Sequence, residues 1–176
     1  ELLVREGELV SKGQELVRLD PTRMEAAQNE GQLRRLALLA MASRLRAEAL
    51  GSEPKFPSEL ADAKRLTDAE MEAYRSRRKL MEEALAGMAN SMALVNKELG
   101  VARQMAAQGL MSNVEVMRLT RQLGEMQVAR QERINRFRQE ATSELVKVQN
   151  DLAAVEEQMV VKADVLKRTV LSSPVD

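Results

Sequence analysis

Apolar residues return every three or four positions along most of this chain, and the places where that rhythm stops divide it. From Asp20-Pro21 the rhythm runs to about Leu50; Asp20 suits an N-cap and Pro21 the N1 position, where its missing N–H costs nothing. The apolar stripe of this first predicted helix includes Met24, Leu33, Leu36, Leu39 and Leu45. Gly51-Ser52-Glu53-Pro54-Lys55-Phe56-Pro57 breaks it, and a short helical turn can follow from Ser58. Thr67-Asp68-Ala69-Glu70 reads as a capping box opening a second helix. There Tyr74, Met81, Leu85, Met88, Met92, Val95, Leu99, Ala102 and Ala106 hold heptad a and d positions, with Arg78 the polar exception. Strict a/d spacing predicts a coiled-coil seam rather than a globular face.

The stretch Gln108-Gly109-Leu110-Met111-Ser112-Asn113-Val114-Glu115 then reverses the chain. Gly109 suits the C′ position, where a residue without Cβ turns left-handed cheaply. Ser112 and Glu115 form a second predicted capping box, the serine oxygen accepting from the Glu115 N–H and the carboxylate reaching back to the Ser112 N–H. The descending seam continues through Val116, Leu119, Leu123 and Met126. It resumes with Ile134, Phe137, Ala141, Leu145, Val148, Leu152, Val155, Met159 and Leu166. Between Val128 and Arg133 it loses register, as in a stutter. Gly100 and Gly124 lie equally far from Ser112 and are expected to face each other. Small residues there would let the helices approach closely; a notch for a partner is the alternative.

The two ends are not helical. Leu2-Leu3-Val4 and Leu16-Val17-Arg18-Leu19 are β-prone, with turns at Gly7 and Gly13, and Val170 to Asp176 is strand-like with Pro174 ending the helix before it. A helical hairpin brings its ends together, so these half-modules are expected to meet. The expected organisation is a partial β half over 1–20, a base helix over 21–50 and a linker with a short helix over 51–66. An ascending helix over 67–108, a tip over 109–112 and a descending helix over 113–168 follow, with a second β half beginning at 169–176. At 1.5 Å per residue the helices span roughly 45, 60 and 80 Å in order. Stacked end to end, the first two would overshoot the third by about 25 Å, which predicts a three-helix base and a two-helix upper stalk.

Composition agrees. Among 176 residues the aromatics are Phe56, Tyr74 and Phe137 alone, too few for a compact core of this size, while Ala, Leu, Met, Glu, Arg and Gln suit long helices. Charges balance at 27 of each sign, and Cys and His are absent. That excludes disulfides, thiol and imidazole chemistry and most transition-metal sites. No run approaches the roughly 18 apolar residues of a membrane span. The chain begins at Glu1 without a methionine and stops mid-pattern at Val175-Asp176, as a piece of a longer protein would.

The candidate chemistry is thin. Arg75-Ser76-Arg77-Arg78-Lys79 and Arg130, Arg133, Arg136 and Arg138 are basic clusters, but zero net charge and few aromatics favour ion-paired helix faces over nucleic-acid binding. Most of the eleven methionines fall on the seam; Met105, Met111 and Met117 gather near the tip, where a soft contact surface and simple packing are equal readings. Ser172-Ser173 has no base nearer in sequence than Lys167. No catalytic, cofactor-binding or metal-ligating residue is assigned, and no cofactor is expected. The chain reads as a non-enzyme.

Three stretches carry a resemblance. Val4-Arg5-Glu6-Gly7-Glu8-Leu9-Val10-Ser11-Lys12-Gly13-Gln14-Glu15-Leu16-Val17-Arg18-Leu19-Asp20-Pro21-Thr22 resembles the first half of a biotinyl/lipoyl-type β domain interrupted by a helical hairpin. Val165 to Asp176, ending Leu171-Ser172-Ser173-Pro174-Val175-Asp176, resembles the return into its second half. Gly109-Leu110-Met111-Ser112-Asn113-Val114-Glu115-Val116-Met117-Arg118-Leu119-Thr120-Arg121-Gln122-Leu123 is similar to the hairpin tip of type I secretion adaptors. Together they resemble the HlyD family of membrane fusion proteins, also called periplasmic adaptors.

The resemblance implies a mainly α fold: a long antiparallel coiled-coil hairpin with a third helix at its base, spliced into a partial lipoyl-like β domain. It implies a periplasmic protein anchored to the inner membrane, assembled as homo-hexamers between an inner-membrane ABC transporter and an outer-membrane TolC-like channel. The tip residues Met105, Gln108, Gly109, Leu110, Met111, Ser112, Asn113 and Glu115 would meet the channel. The alternatives are an adaptor of a multidrug efflux pump and a cytoplasmic coiled-coil scaffold. The efflux-adaptor tip signature, Arg, then Leu four residues on, then Ser seven further, is matched here only at Ser112. Met105 replaces the leucine and Val101 the arginine; whether Arg103 stands in is open. No lysine lies between Lys12 and Lys55, so lipoylation is not expected.

Overall fold

The structure, a computed structural model, describes residues 3–4, 8–18, 22–167 and 170–173. In order these form β1 (Glu15–Arg18), α1 (Thr22–Leu50), a 3₁₀ turn (Ser58–Leu60), α2 (Lys64–Ala107), α3 (Asn113–Lys167) and β2 (Val170–Ser172). Three long helices and a minimal strand pair make the fold mainly α. The chain divides into two compact units, Glu1–Ala42 with Phe56–Leu66 and Val146–Asp176, and Ser43–Lys55 with Thr67–Leu145.

In the first unit, β1 and β2 pair antiparallel, with Glu15 opposite Ser172 and Arg18 opposite Val170. The turn before β1 closes by Gln14 N–H to Ser11 C=O (2.9 Å), with Gly13 at φ +85°. Gly13 and Ser173 extend the pairing through an N–H···O bond of 2.8 Å. The predicted strand at Leu2-Leu3-Val4 is not formed at its described residues, although the Leu3 N–H donates to Leu16 C=O at 2.9 Å. The Asp20-Pro21 cap lies outside the described residues.

The predicted stripe of α1 needs correction at Leu33, which is 66% exposed. The face α1 turns toward α3 is Ala27, Gly31 and Arg35, spaced one turn apart. Lys162 Nζ donates to Ala27 C=O (3.4 Å), a Cβ on Gly31 would meet Met159 Cγ at 3.0 Å, and Arg35 pairs with Glu156 at 2.9 Å. Leu33 lies two residues, about 200°, round from Gly31 and so points away.

The capping box expected at Thr67 to Glu70 also needs correction. α2 begins at Lys64, so Thr67-Asp68-Ala69-Glu70 lies inside the helix. Leu60 is 1% exposed, and successive i→i+3 bonds run from it: Ala63 N–H to Leu60 C=O and Leu66 N–H to Ala63 C=O. Burying that leucine starts the helix before the capping pattern is reached.

In the second unit α1 ends at Gly51 (φ +70°), and the Ser52 N–H closes onto Ala47 C=O at 2.9 Å. Tyr74 on α2 donates its hydroxyl to Ser52 C=O at 2.7 Å, tying the linker down. Around this level α1 is buried on most sides, at Ala42, Ser43, Arg44, Leu45, Ala47 and Glu48. Further along, α2 and α3 pack alone, through Val95, Leu99 and Ala102 against Leu119. The seam crosses its irregular stretch by two successive four-residue steps, Met126 to Arg130 to Ile134, with Arg130 half-buried and Val128 exposed. Gly100 and Gly124 do not serve close approach: a Cβ on either meets nothing within 4 Å.

Candidate functional site

The reversal between α2 and α3 is built almost entirely from backbone hydrogen bonds. Gly109 takes φ +73°, which lets the Leu110 N–H reach Met105 C=O (2.9 Å) and the Gly109 N–H reach Ala106 C=O (3.0 Å). These two bonds are the Schellman arrangement, and they satisfy carbonyls that a helix end leaves open. Three residues later Ser112 caps α3. Its Oγ accepts from the Val114 N–H at 3.2 Å, and its C=O accepts from the Glu115 N–H at 3.1 Å.

The predicted reciprocal box does not form. Glu115 turns instead to Arg118, with contacts of 2.6, 3.0 and 3.1 Å between its carboxylate and the guanidinium. These bonds hold the Glu115 carboxyl below its ordinary pKa, and raise that of Arg118. A charge-assisted, multidentate pair one turn away outcompetes a single backbone N–H.

The predicted tip residues are thus brought together but face different ways. Met111 is half-buried against the Val95, Leu99, Ala102 and Leu119 core, whereas Leu110 is 67% exposed. Met105 and Glu115 are half-buried; Gln108, Gly109, Ser112 and Asn113 are exposed. Two neighbours left out of the predicted site, Val114 and the tip methionine Met117, are 72% and 70% exposed. Their signal was present: both fall off the a/d seam, where an apolar residue has no partner within the hairpin. A shallow groove beside the tip runs over Val101, Ala102, Met111 and Leu119 and is rimmed by Glu98, Glu115 and Arg118. An apolar floor with charges at the edge suits a protein partner better than a small substrate.

A second constellation lies where three helices meet. Arg44 bonds Glu70 at 2.6 Å and Glu48 at 2.9 Å, and Arg77 pairs with Glu48 at 3.3 Å and Glu144 at 3.6 Å. Burial works against the Arg44 charge, but the hydrogen bonds to Glu70 and Glu48 outweigh it and raise its pKa. The Glu48 side chain is 1% exposed, and its Oε2 faces Arg77 without an aligned hydrogen bond. Arg77 also stacks 5.7 Å from the Phe137 ring centroid. Arg78 and Lys79, from the same basic run, pair with Glu82 and Glu83. These are helix-to-helix ties. No group of three or more His, Cys, Asp or Glu residues is set to hold a metal among the described residues.

No family model and no curated protein matches the chain. The soluble domain of LipC, a membrane fusion protein of a type I secretion system, matches with a TM-score of 0.66 at 20% identity, over 100% of this chain and 85% of that one. The periplasmic adaptor protein EmrA matches with a TM-score of 0.45 at 18% identity, over 100% of this chain and 60% of that one. The likeness to LipC shows the fold, which is that of a membrane fusion protein's soluble domain.

Proposed function

We propose that this chain is the periplasmic part of an HlyD-family membrane fusion protein, linking an inner-membrane ABC transporter to an outer-membrane TolC-like channel for type I protein secretion. The observation that carries this reading is the likeness to LipC, which runs over the whole chain. In this reading β1 and β2 are the joined stumps of a lipoyl-like β domain, and the hairpin is the reach of the adaptor. The adaptor works by assembly rather than by bond chemistry. The α2–α3 seam keeps the hairpin stiff, and the tip from Met105 to Glu115 offers the channel an exposed Leu110 and polar Gln108, Ser112 and Asn113. Copies gather as hexamers around the conduit. The anchor to the inner membrane is a segment other than the described helices, none of which is long and apolar enough to cross a membrane.

A strain lacking the protein should lose export of a protein cargo and keep normal drug accumulation. A cysteine at Ser112 should cross-link to an outer-membrane channel in cells. Capture of cytoplasmic proteins alone would sink the reading, and drug accumulation with intact protein export would move it to efflux.

A further inference from the structure

The hairpin helices carry a second apolar pattern that their own seam does not use. In the second unit, the large hydrophobic side chains of α2 and α3 described as exposed are Leu80, Leu94, Val101, Val114, Met117 and Val128, each between 56% and 72% exposed. Scattered apolar residues on a surface mean little. These are not scattered. On α2, Leu94, Glu98, Val101 and Met105 follow four-three-four steps; on α3, Val114, Met117, Arg121, Gly124 and Val128 follow three-four-three-four. That is the spacing of a coiled-coil seam. Each α2 position falls one residue before a seam residue, about 100° round the helix, and each α3 position two residues before, about 200°.

The two stripes also match in height. In an antiparallel pair that turns at Met111, residues equally far from it in sequence come level, and Leu123 packs against the core that holds Leu99. On that rule Leu94 is level with Val128, Glu98 with Gly124, Val101 with Arg121 and Met105 with Met117. One hairpin cannot pair its own stripes. Glu98 and Val101 border the groove shared with Glu115 and Arg118, whereas the α3 stripe points away from the seam and from that groove.

We propose that the α2 stripe of one copy packs against the α3 stripe of the next, tips level, and that this is the lateral contact by which copies of this chain assemble. It rests on the adaptor reading, in which copies gather, and adds the two faces and their register. Charge fits as well as height. Exposed Glu98 comes one turn from Arg121, which is 73% exposed and holds Glu125 only loosely at 3.7 Å. Gly124, opposite Glu98, leaves open space within its own hairpin and gives the neighbouring helix room to approach. A contact between unlike faces repeats head to tail, closing into a ring where the rotation allows. From Leu94 to Gln108 it is about 20 Å long. That is too short for a stable isolated dimer and suits a ring, in which each copy makes it twice.

Residues 1–176 hold no cysteine, so with any cysteine elsewhere in the full-length protein replaced, introduced thiols report cleanly. In the full-length protein in its membrane, Leu94→Cys with Val128→Cys should give a ladder of disulfide-linked copies. Either single variant, or Leu94→Cys with Arg121→Cys, should give none. Glu98→Arg should abolish the ladder and Glu98→Arg with Arg121→Glu restore it. A lysine cross-linker reports assembly independently. Lysine-linked oligomers without the ladder, or a bond only within one chain, overturn these faces while leaving the adaptor reading in place. Absence of both signals overturns the faces and the assembly together.

Discussion

The level of Arg44 and Arg77 and the end of the hairpin share α2 and α3 and solve opposite problems. At the first, α1 is buried on most of its circumference, and every one of Arg44, Glu48 and Arg77 is paired with a charge on a neighbouring turn or helix. Those three charges are spent on each other and on their neighbours. At the second, two helices share one narrow seam, and Leu94, Val101, Leu110, Val114 and Met117 remain in solvent. A third helix is what closes the first level. Where it is missing, the apolar surface that a third helix would cover is available to another molecule.

This contrast can be broken by mutation. Arg44→Ala strips the aligned hydrogen bond from a buried Glu48 and should cost about 4 kcal/mol, read as a large fall in the urea midpoint. Leu99→Ala opens a hole in a seam with only two walls and should cost about 3 kcal/mol by the same measure. The smaller cost follows from a neighbourhood freer to collapse. Gly100→Ala and Gly124→Ala should each stabilise the isolated hairpin by up to about 1 kcal/mol, since the new methyl meets open space in a helix interior. Only Gly124→Ala should also weaken association of copies, because Gly100 lies off both stripes.

The smallest effect is at Glu115. Its folded pKa is depressed by Arg118, so its contribution is present above the unfolded carboxyl value and fades as pH falls through the folded one. Glu115→Gln should remove that acid step from amide exchange at the start of α3 and leave the neutral-pH pattern nearly unchanged.

Much of this was legible in the sequence, for reasons that differ by region. The α2–α3 seam was readable because three-four spacing over many turns has one physical cause, a helix burying a single stripe. Gly109 was readable because a left-handed residue at a helix end is a local demand. The capping boxes were not, because each competes with something remote or stronger: burial of Leu60 in one case, the Arg118 guanidinium in the other. Leu33 was misplaced because α1 presents small residues and an arginine, not leucines, to α3. The buried Arg44–Glu48 pair had an i, i+4 signal, but the same spacing marks solvated faces, and only the third helix decides between them. The exposed stripes were hidden for the opposite reason: their apolar residues look like failures of the seam until the seam is in place.

The sharpest test sets the two levels against each other with one chemistry. A single cysteine at Leu110 and, separately, one at exposed Arg75 would each carry the same short photo-cross-linker in the full-length protein in cells. The account predicts that Leu110 captures an outer-membrane channel and Arg75 does not. Equal capture from both positions, or capture from Arg75 alone, would contradict it.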